Sequence, residues 1–222
     1  MTLLRLLLAT TLVTSLGLSA VSHSADSFNI LLYHHISSTA PRSTSLSAEE
    51  FEGHLQYLKD KDYLVVALGD ALKAVQTAQP LPSKSVVITF DDAWRDIYEQ
   101  GLPLLKKYDY PFTVFVNTDS VDQHNRHAMT WDMLRDLQHH KGSLANHTRD
   151  HAYLVRKPEY DDAWLSATLA NIDHAQQRLV EELGPTPKWL AYPFGEYNNV
   201  LKLALKERGY TAFGQQSGGV AA

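Results

Sequence analysis

Two adjacent aspartates, Asp91 and Asp92, close the run "VVITFDD". Each is costly to desolvate at the end of a buried strand, so the pair must lie in a solvated turn or find a partner charge. Further along, "NHTRDH" spaces His147 and His151 as H-x-x-x-H, which lets two imidazoles face one centre from a helical turn or a tight loop. Neutral imidazole is a common ligand for zinc and related divalent metals, and two of them with one carboxylate leave a coordination position for water. A divalent ion held this way lowers the pKa of its water toward ~7, and a nearby base completes the deprotonation. The aspartate pair offers one carboxylate for the ion and one for the proton. Two more stretches place unusual residues where strands should end: "YHH" (Tyr33, His34, His35) and "YPFG" (Tyr192 to Gly195). Singly, each of the four has a plain reading as a cap, a turn or an interior histidine. Their recurrence at separate strand ends is what points to chemistry.

The elements that would carry these residues alternate regularly. "FNILLYHH" reads as a strand, and in "SLSAEEFEGHLQYLKDKDY" Ser47 is an N-cap with Glu50 three residues on. Phe51, Leu55 and Leu58 mark one face of that helix. The pattern continues with strand "YLVVAL", helix "GDALKAVQTAQ" stopped by Pro80 and Pro82, strand "SVVITF" and a helix from about Trp94 to Tyr108. Strand "PFTVFVN" precedes helix "TWDMLRDLQHH", with Met133, Leu134 and Leu137 inward, and strand "GSLANH" follows. Tyr160 to Leu183 is the longest helix, followed by strand "KWLAYP", helix "YNNVLKLALKERG" and strand "YTAFG". This spacing predicts an α/β fold of parallel strands covered by helices, either a (β/α) barrel or an open doubly wound sheet. No glycine-rich phosphate loop follows a strand, which counts against a nucleotide-binding doubly wound sheet. In such folds functional groups gather at the carboxyl ends of strands, where all four stretches lie.

Bulk composition narrows the rest. Among 222 residues there is no cysteine, which excludes disulfides and a lipid anchor on cysteine. Residues 1–25 carry Arg5, an apolar run from Leu6 to about Leu18, and then Ala20, Ser22, Ser24 and Ala25. That is the pattern of a cleaved export signal, and the run is too diluted and short for a comfortable ~20-residue membrane span. Residues 26–222 then form one domain, destined for the periplasm or the extracellular space. The formal net charge of -5 is spread without basic blocks, which argues against nucleic acid as a partner. Eleven histidines are present. The end, "GQQSGGVAA", stops just after a strand, as a frayed terminus or a piece of a longer protein would.

"TFDDAW", "HTRDH" and "AYPFGEYN" resemble the first three motifs of the polysaccharide deacetylases, carbohydrate esterases of the NodB-homology type with a distorted (β/α) barrel. "LLYHHI" and "YPFGEY" resemble one branch in particular, the exported poly-β-1,6-N-acetyl-D-glucosamine deacetylases of biofilm systems, whose barrel is circularly permuted. The resemblance spans about Phe28 to Gly214. It implies that Asp91 is the general base, that Asp92, His147 and His151 ligate one divalent ion (zinc, or cobalt, nickel or iron), and that His34 is the catalytic acid. His35, the next residue on a strand, would point the other way. Tyr192 and Phe194 would line the substrate pocket, and the Phe194 N–H would help bind the oxyanion. The arginine that orients the base in many relatives is replaced by Ala191, so the sequence leaves open what holds Asp91.

The expected function is therefore metal-dependent N-deacetylation of an N-acetylglucosamine polymer, with the biofilm polysaccharide as substrate. Chitin oligomers, peptidoglycan or another acylated glycan are the rival substrates, and a carbohydrate-binding module without turnover is the rival class. A further C-terminal domain or the exopolysaccharide export machinery would be the protein partners.

Overall fold

A computed structural model describes residues 24–25, 27–156, 159–215 and 220–221. The leader expected over residues 1–25 lies outside the described residues except for Ser24–Ala25, which pairs antiparallel with Leu81–Pro82. Among the described residues no helix is long and apolar enough to cross a membrane.

One curled, mostly parallel sheet forms the frame. In chain order its strands are β1 (Ser27–Tyr33), β2 (Leu64–Val65), β3 (Ser85–Phe90), β4 (Phe112–Val116), β5 (Gly142–Asn146), β6 (Trp189–Ala191), β7 (Thr211–Phe213) and β8 (Val220–Ala221). Across the sheet the order is β7-β6-β5-β4-β3-β1-β8, with β2 beside the start of β3. The first strand thus pairs with the third, Tyr33 opposite Phe90, while β8 alone runs antiparallel, against β1. This is the half-closed barrel expected from the alternating pattern, with the N-terminal strand inserted next to the strand that carries the aspartates.

Among the described residues seven α-helices connect or flank the strands: α1 (Ala48–Asp60), α2 (Leu68–Gln76), α3 (Leu102–Tyr108), α4 (Thr118–Asp122), α5 (Trp131–Gln138), α6 (Asp162–Leu183) and α7 (Asn199–Glu207). The capping box at Ser47 and Glu50 forms as read, each side chain serving the other's backbone N–H. The helix expected from Trp94 begins instead with a wide turn over Ile97–Gly101 before α3. Trp94 and its neighbours are drawn off as a strand-like segment: Arg95 N–H donates to His127 O at 2.7 Å and Met129 N–H to Ala93 O at 2.9 Å. Strand "YLVVAL" contracts to Leu64–Val65, and the short helix α4 had no signal strong enough to separate it from strand β4.

Every residue of β3 and β4 is buried, as parallel strands with both faces covered require. One face of the sheet packs on α1, α3 and α5 through Ile88, Phe90, Val114 and Leu144. The concave face closes on α2, whose Leu68, Ala71 and Leu72 meet Phe28, Val87 and Phe115. Period-two alternation along β3 continues past its end, so Asp91 follows Val87 and Thr89 onto the concave side.

Candidate metal centre and proton-transfer site

The carboxyl ends of β1, β3, β5 and β6 converge, and each delivers one of the four stretches. After β3 the chain turns sharply: Asp92 and Ala93 have φ of 73° and 55°. Non-glycine residues in the left-handed region cost of order 1–3 kcal/mol each and persist only when their surroundings hold them. Ala93 is fully buried, so this turn is packed in place and aims Asp92 toward the histidine loop.

That loop is equally constrained. Asn146, fully buried, accepts from Thr148 N–H at 2.7 Å and donates to Ile172 O at 2.9 Å, tying the end of β5 to α6. Thr148 and His151 have φ of 68° and 55°, and the Thr148 hydroxyl accepts from His151 N–H at 3.1 Å. The H-x-x-x-H spacing is thereby realised as a tight loop, with the two rings 4.8 Å apart.

Asp92, His147 and His151 come together as expected, with one donor atom from each lying within 4.8 Å of the others. His147 Nε2 lies 3.4 Å and His151 Nε2 3.3 Å from Asp92 Oδ1. Neither contact has hydrogen-bond geometry, so among the described residues that buried oxygen is left without a partner. Three ligand atoms placed ~2.0–2.1 Å from a tetrahedral centre stand ~3.3 Å apart, so the set fits a zinc-like ion. The far side of His147 agrees: its Nδ1 donates to Ala191 O at 2.9 Å, which leaves Nε2 free to ligate. Ala191 thus contributes its carbonyl to the site.

Asp91 is 2 % exposed, and its Oδ1 has no partner among the described residues. Burial pushes its carboxyl above the usual carboxylate range, against the opposing charges of His147 and His34. Asp92 goes the other way. Burial alone would raise it, but the His147 imidazole, then His151 and His34, bring it to about 2. His147 is drawn upward, the Asp91 and Asp92 carboxylates outweighing its burial. His151 is drawn downward by burial and by His147.

His34, half-buried, stands close enough for its charge to act on Asp91, Asp92 and His151. His35 is engaged elsewhere: its Nδ1 meets Asp96 Oδ2 at 2.7 Å, and its ring stacks on Trp94 at 4.4 Å. His35 is thus turned away from the aspartate pair's partners His147 and His151 and toward Asp96.

Sequence reasoning missed Gln215. Its side chain shares a cleft with the Asp91 carboxylate and favours the charged form, from just beyond β7 in a stretch that reads as an ordinary loop. Gly195 of the "YPFG" motif holds it there. With φ of 69°, a Cβ at Gly195 would sit 2.7 Å from the Gln215 Cβ and backbone N, so only glycine permits this approach. Asp91, Gln215, Tyr192 and Phe213 line a cleft of about 440 Å³ on the concave side of the sheet.

Tyr192 is 3 % exposed and stacks on Tyr197 at 5.0 Å. Phe194, at φ 59°, is 40 % exposed and meets His151 edge-on at 4.6 Å. Its ring stacks on Tyr153 at 3.8 Å, and Arg156 covers Tyr153 at 3.8 Å while pairing with Glu196. The result is an aromatic ladder beside the histidine loop, of which the sequence reading had only Phe194.

The sequence profile of polysaccharide deacetylases matches residues 78–213. A Bacillus subtilis (strain 168) protein named as a polysaccharide deacetylase, YxkH, is 31% identical over 186 residues, covering 82% of this chain and 61% of its own. A Staphylococcus aureus (strain MRSA252) poly-β-1,6-N-acetyl-D-glucosamine N-deacetylase is 28% identical over 191 residues, covering 83% and 66%. The chain thus spans somewhat less than two thirds of the length of these relatives. Among solved structures, IcaB from Ammonifex degensii aligns with a TM-score of 0.78 at 25% identity, covering 87% of this chain and 86% of that one. The Streptococcus pyogenes deacetylase PplD in complex with acetate shares the fold, with a TM-score of 0.75 at 24% identity over 85% and 82% of the two chains.

Proposed function

This chain belongs to the polysaccharide deacetylase family, and from that premise we propose that it is a metal-dependent N-deacetylase of an exported N-acetylglucosamine polymer, poly-β-1,6-N-acetyl-D-glucosamine first among them. The observation that carries the reading is the buried, unpartnered Asp92 Oδ1 facing two imidazole nitrogens at 3.3 and 3.4 Å, with a second buried carboxylate one residue away. The printed name of the Staphylococcus aureus relative supports the choice of polymer. The apolar stretch within residues 6–18 supports export.

Asp92, His147 and His151 would hold the ion, which when bound supplies Lewis-acid polarisation and a water of lowered pKa. Asp91 takes the proton from the attacking water. Its raised affinity for protons, a consequence of burial, suits a base that must accept one near neutral pH. The Gln215 amide, on the same cleft, would favour the charged carboxylate. His34, on the opposite side of the aspartate pair in the chain, protonates the departing amine as the C–N bond breaks and acetate is released. The N–H of Phe194 is the donor assigned to the developing oxyanion, and Tyr192 and Phe194 border the sugar.

Acetate release from the purified protein, with and without chelator, on poly-β-1,6-N-acetyl-D-glucosamine, chitin oligomers and peptidoglycan in parallel, tests this reading. The expected result is chelator-sensitive release, fastest on the first polymer. Faster release from chitin or peptidoglycan would reassign the substrate. No release from any of them, with metal bound, would favour a binding module.

A further inference from the structure

We propose that Trp94 is a positioning residue for the metal carboxylate, locked in place by His35 and Asp96. Its indole Nε1–H donates to Asp92 Oδ2 at 3.1 Å, which occupies that oxygen and turns Oδ1 toward the two imidazoles. The bond spans only two residues, across the turn where Asp92 and Ala93 hold left-handed φ of 73° and 55°. A carboxylate on such a turn has other rotamers open to it, and the indole selects the one that faces His147 and His151.

The indole is itself held from three sides. Its ring lies on the His35 imidazole, with centroids 4.4 Å apart and planes 23° from parallel. Asp96 grips His35 through Oδ2 at 2.7 Å and accepts from Ile36 N–H through Oδ1 at 3.1 Å. The Trp94 backbone bridges Ala128 in antiparallel fashion, and the flanking Arg95 and Ala93 make the bonds to His127 and Met129. A tryptophan needed only to fill space would not require its one polar atom aimed at a metal-ligand candidate, nor a histidine–aspartate pair behind its ring. This also gives His35 a role that neither general acid nor ligand describes. Outer groups of this kind commonly change metal affinity by ~10–100-fold when removed.

The inference rests on the metal-site reading, and the test separates the two. Zinc affinity of the chain is measured by competition with a chromogenic chelator, together with tryptophan fluorescence, for the wild type and for Trp94→Phe, His35→Gln and Trp131→Phe. Trp131 is the control, because its Nε1 also donates to an aspartate, Asp122 at 2.9 Å, away from the three ligands. Trp94→Phe keeps a ring on His35 and loses the donor. It should bind zinc ~10–100-fold more weakly and lose the fluorescence change on binding. His35→Gln should weaken binding by a smaller factor and keeps the test alive if Trp94→Phe does not fold. Trp131→Phe should bind as the wild type does. Wild-type affinity in Trp94→Phe, or in a folded His35→Gln when Trp94→Phe does not fold, overturns the inference; a wild type that binds no zinc overturns the metal-site reading beneath it.

Discussion

Asp91 and Asp92 are neighbours in sequence and opposites in environment. Asp91 lies on the concave side of the sheet, 2 % exposed, and burial raises its affinity for a proton. Asp92, with its side chain 12 % exposed, faces two imidazoles and an indole N–H and is held at about 2. A rotation of one residue, enforced by a left-handed turn, converts one carboxylate into a group that wants a proton and the next into one that refuses it. The difference teaches that the two jobs are separated by surroundings, since the side chains are chemically identical.

Exchanging charge for amide breaks the comparison most sharply. Asp91→Asn should bind metal as the wild type does yet lose about 10²–10⁴-fold in deacetylation, measured as acetate release beside metal content. Wild-type turnover in that variant would remove Asp91 from the base role. His147→Ala should lose more metal affinity than the ~10–100-fold typical of outer-shell changes, and a chelator competition showing full retention would take His147 out of the ligand set.

Stability should respond with opposite signs at the two positions. The folded pKa of Asp92 is about 2, below an unfolded value of ~3.9. Its stabilising contribution is therefore present above ~4 and is lost as pH falls through about 2. Asp91 is raised when folded, so its contribution is present below ~3.9 and is lost as pH rises through the folded value. In chelator-treated protein at neutral pH, Asp91→Asn should raise the melting temperature and Asp92→Asn should lower it, by about 2–4 °C per kcal/mol. Thermal melts across pH check the signs, and a common sign would show that the two carboxylates share one environment.

Gln215→Met keeps the length of the side chain and its packing on Gly195 while removing the amide that favours the charged Asp91 carboxylate. A roughly fivefold fall in kcat, with KM and metal content unchanged, corresponds to about 1 kcal/mol for one hydrogen bond. The smallest effect expected is at Tyr153. Tyr153→Ala removes the ring stacked on Phe194 and should raise KM for long oligomers a fewfold while sparing kcat; an unchanged KM would leave the ladder without a part in sugar binding.

Much of this frame was legible before any coordinates. Periodicity fixed the parallel strands because β3 and β4 are continuous apolar runs bounded by turn residues, and the capping box marked α1. The Asp92, His147 and His151 cluster was legible because H-x-x-x-H and an aspartate pair are short-range patterns. Strand alternation predicts different directions for His34 and His35, and His35 does engage Asp96. What was hidden depends on approach between distant segments. Gln215 gives no local signal, and its place follows from the contact with Gly195. The wide turn at Ile97–Gly101 replaced the first turn of a helix because residues 93–95 pair with 127–129, a tertiary bond that no local propensity encodes. The hold of Asp96 on His35 spans 61 residues and is equally silent in the string.

The placement of β1 between β3 and β8 has a consequence for how the protein assembles. Asp92, His147 and His151 come from one internal stretch of about 60 residues, whereas His34 and Gln215 come from near the two ends and enclose about 180; closing the longer loop costs about 1 kcal/mol more in chain entropy. The cluster that could capture an ion shares its dependence on the docking of β1 with His34, because His35 at the end of that strand backs the Trp94 indole on Asp92, whereas Gln215 arrives separately with the segment after β7. Local opening of the segment that carries Gln215 should then slow turnover before it releases metal, whereas opening around β1 should disturb both together.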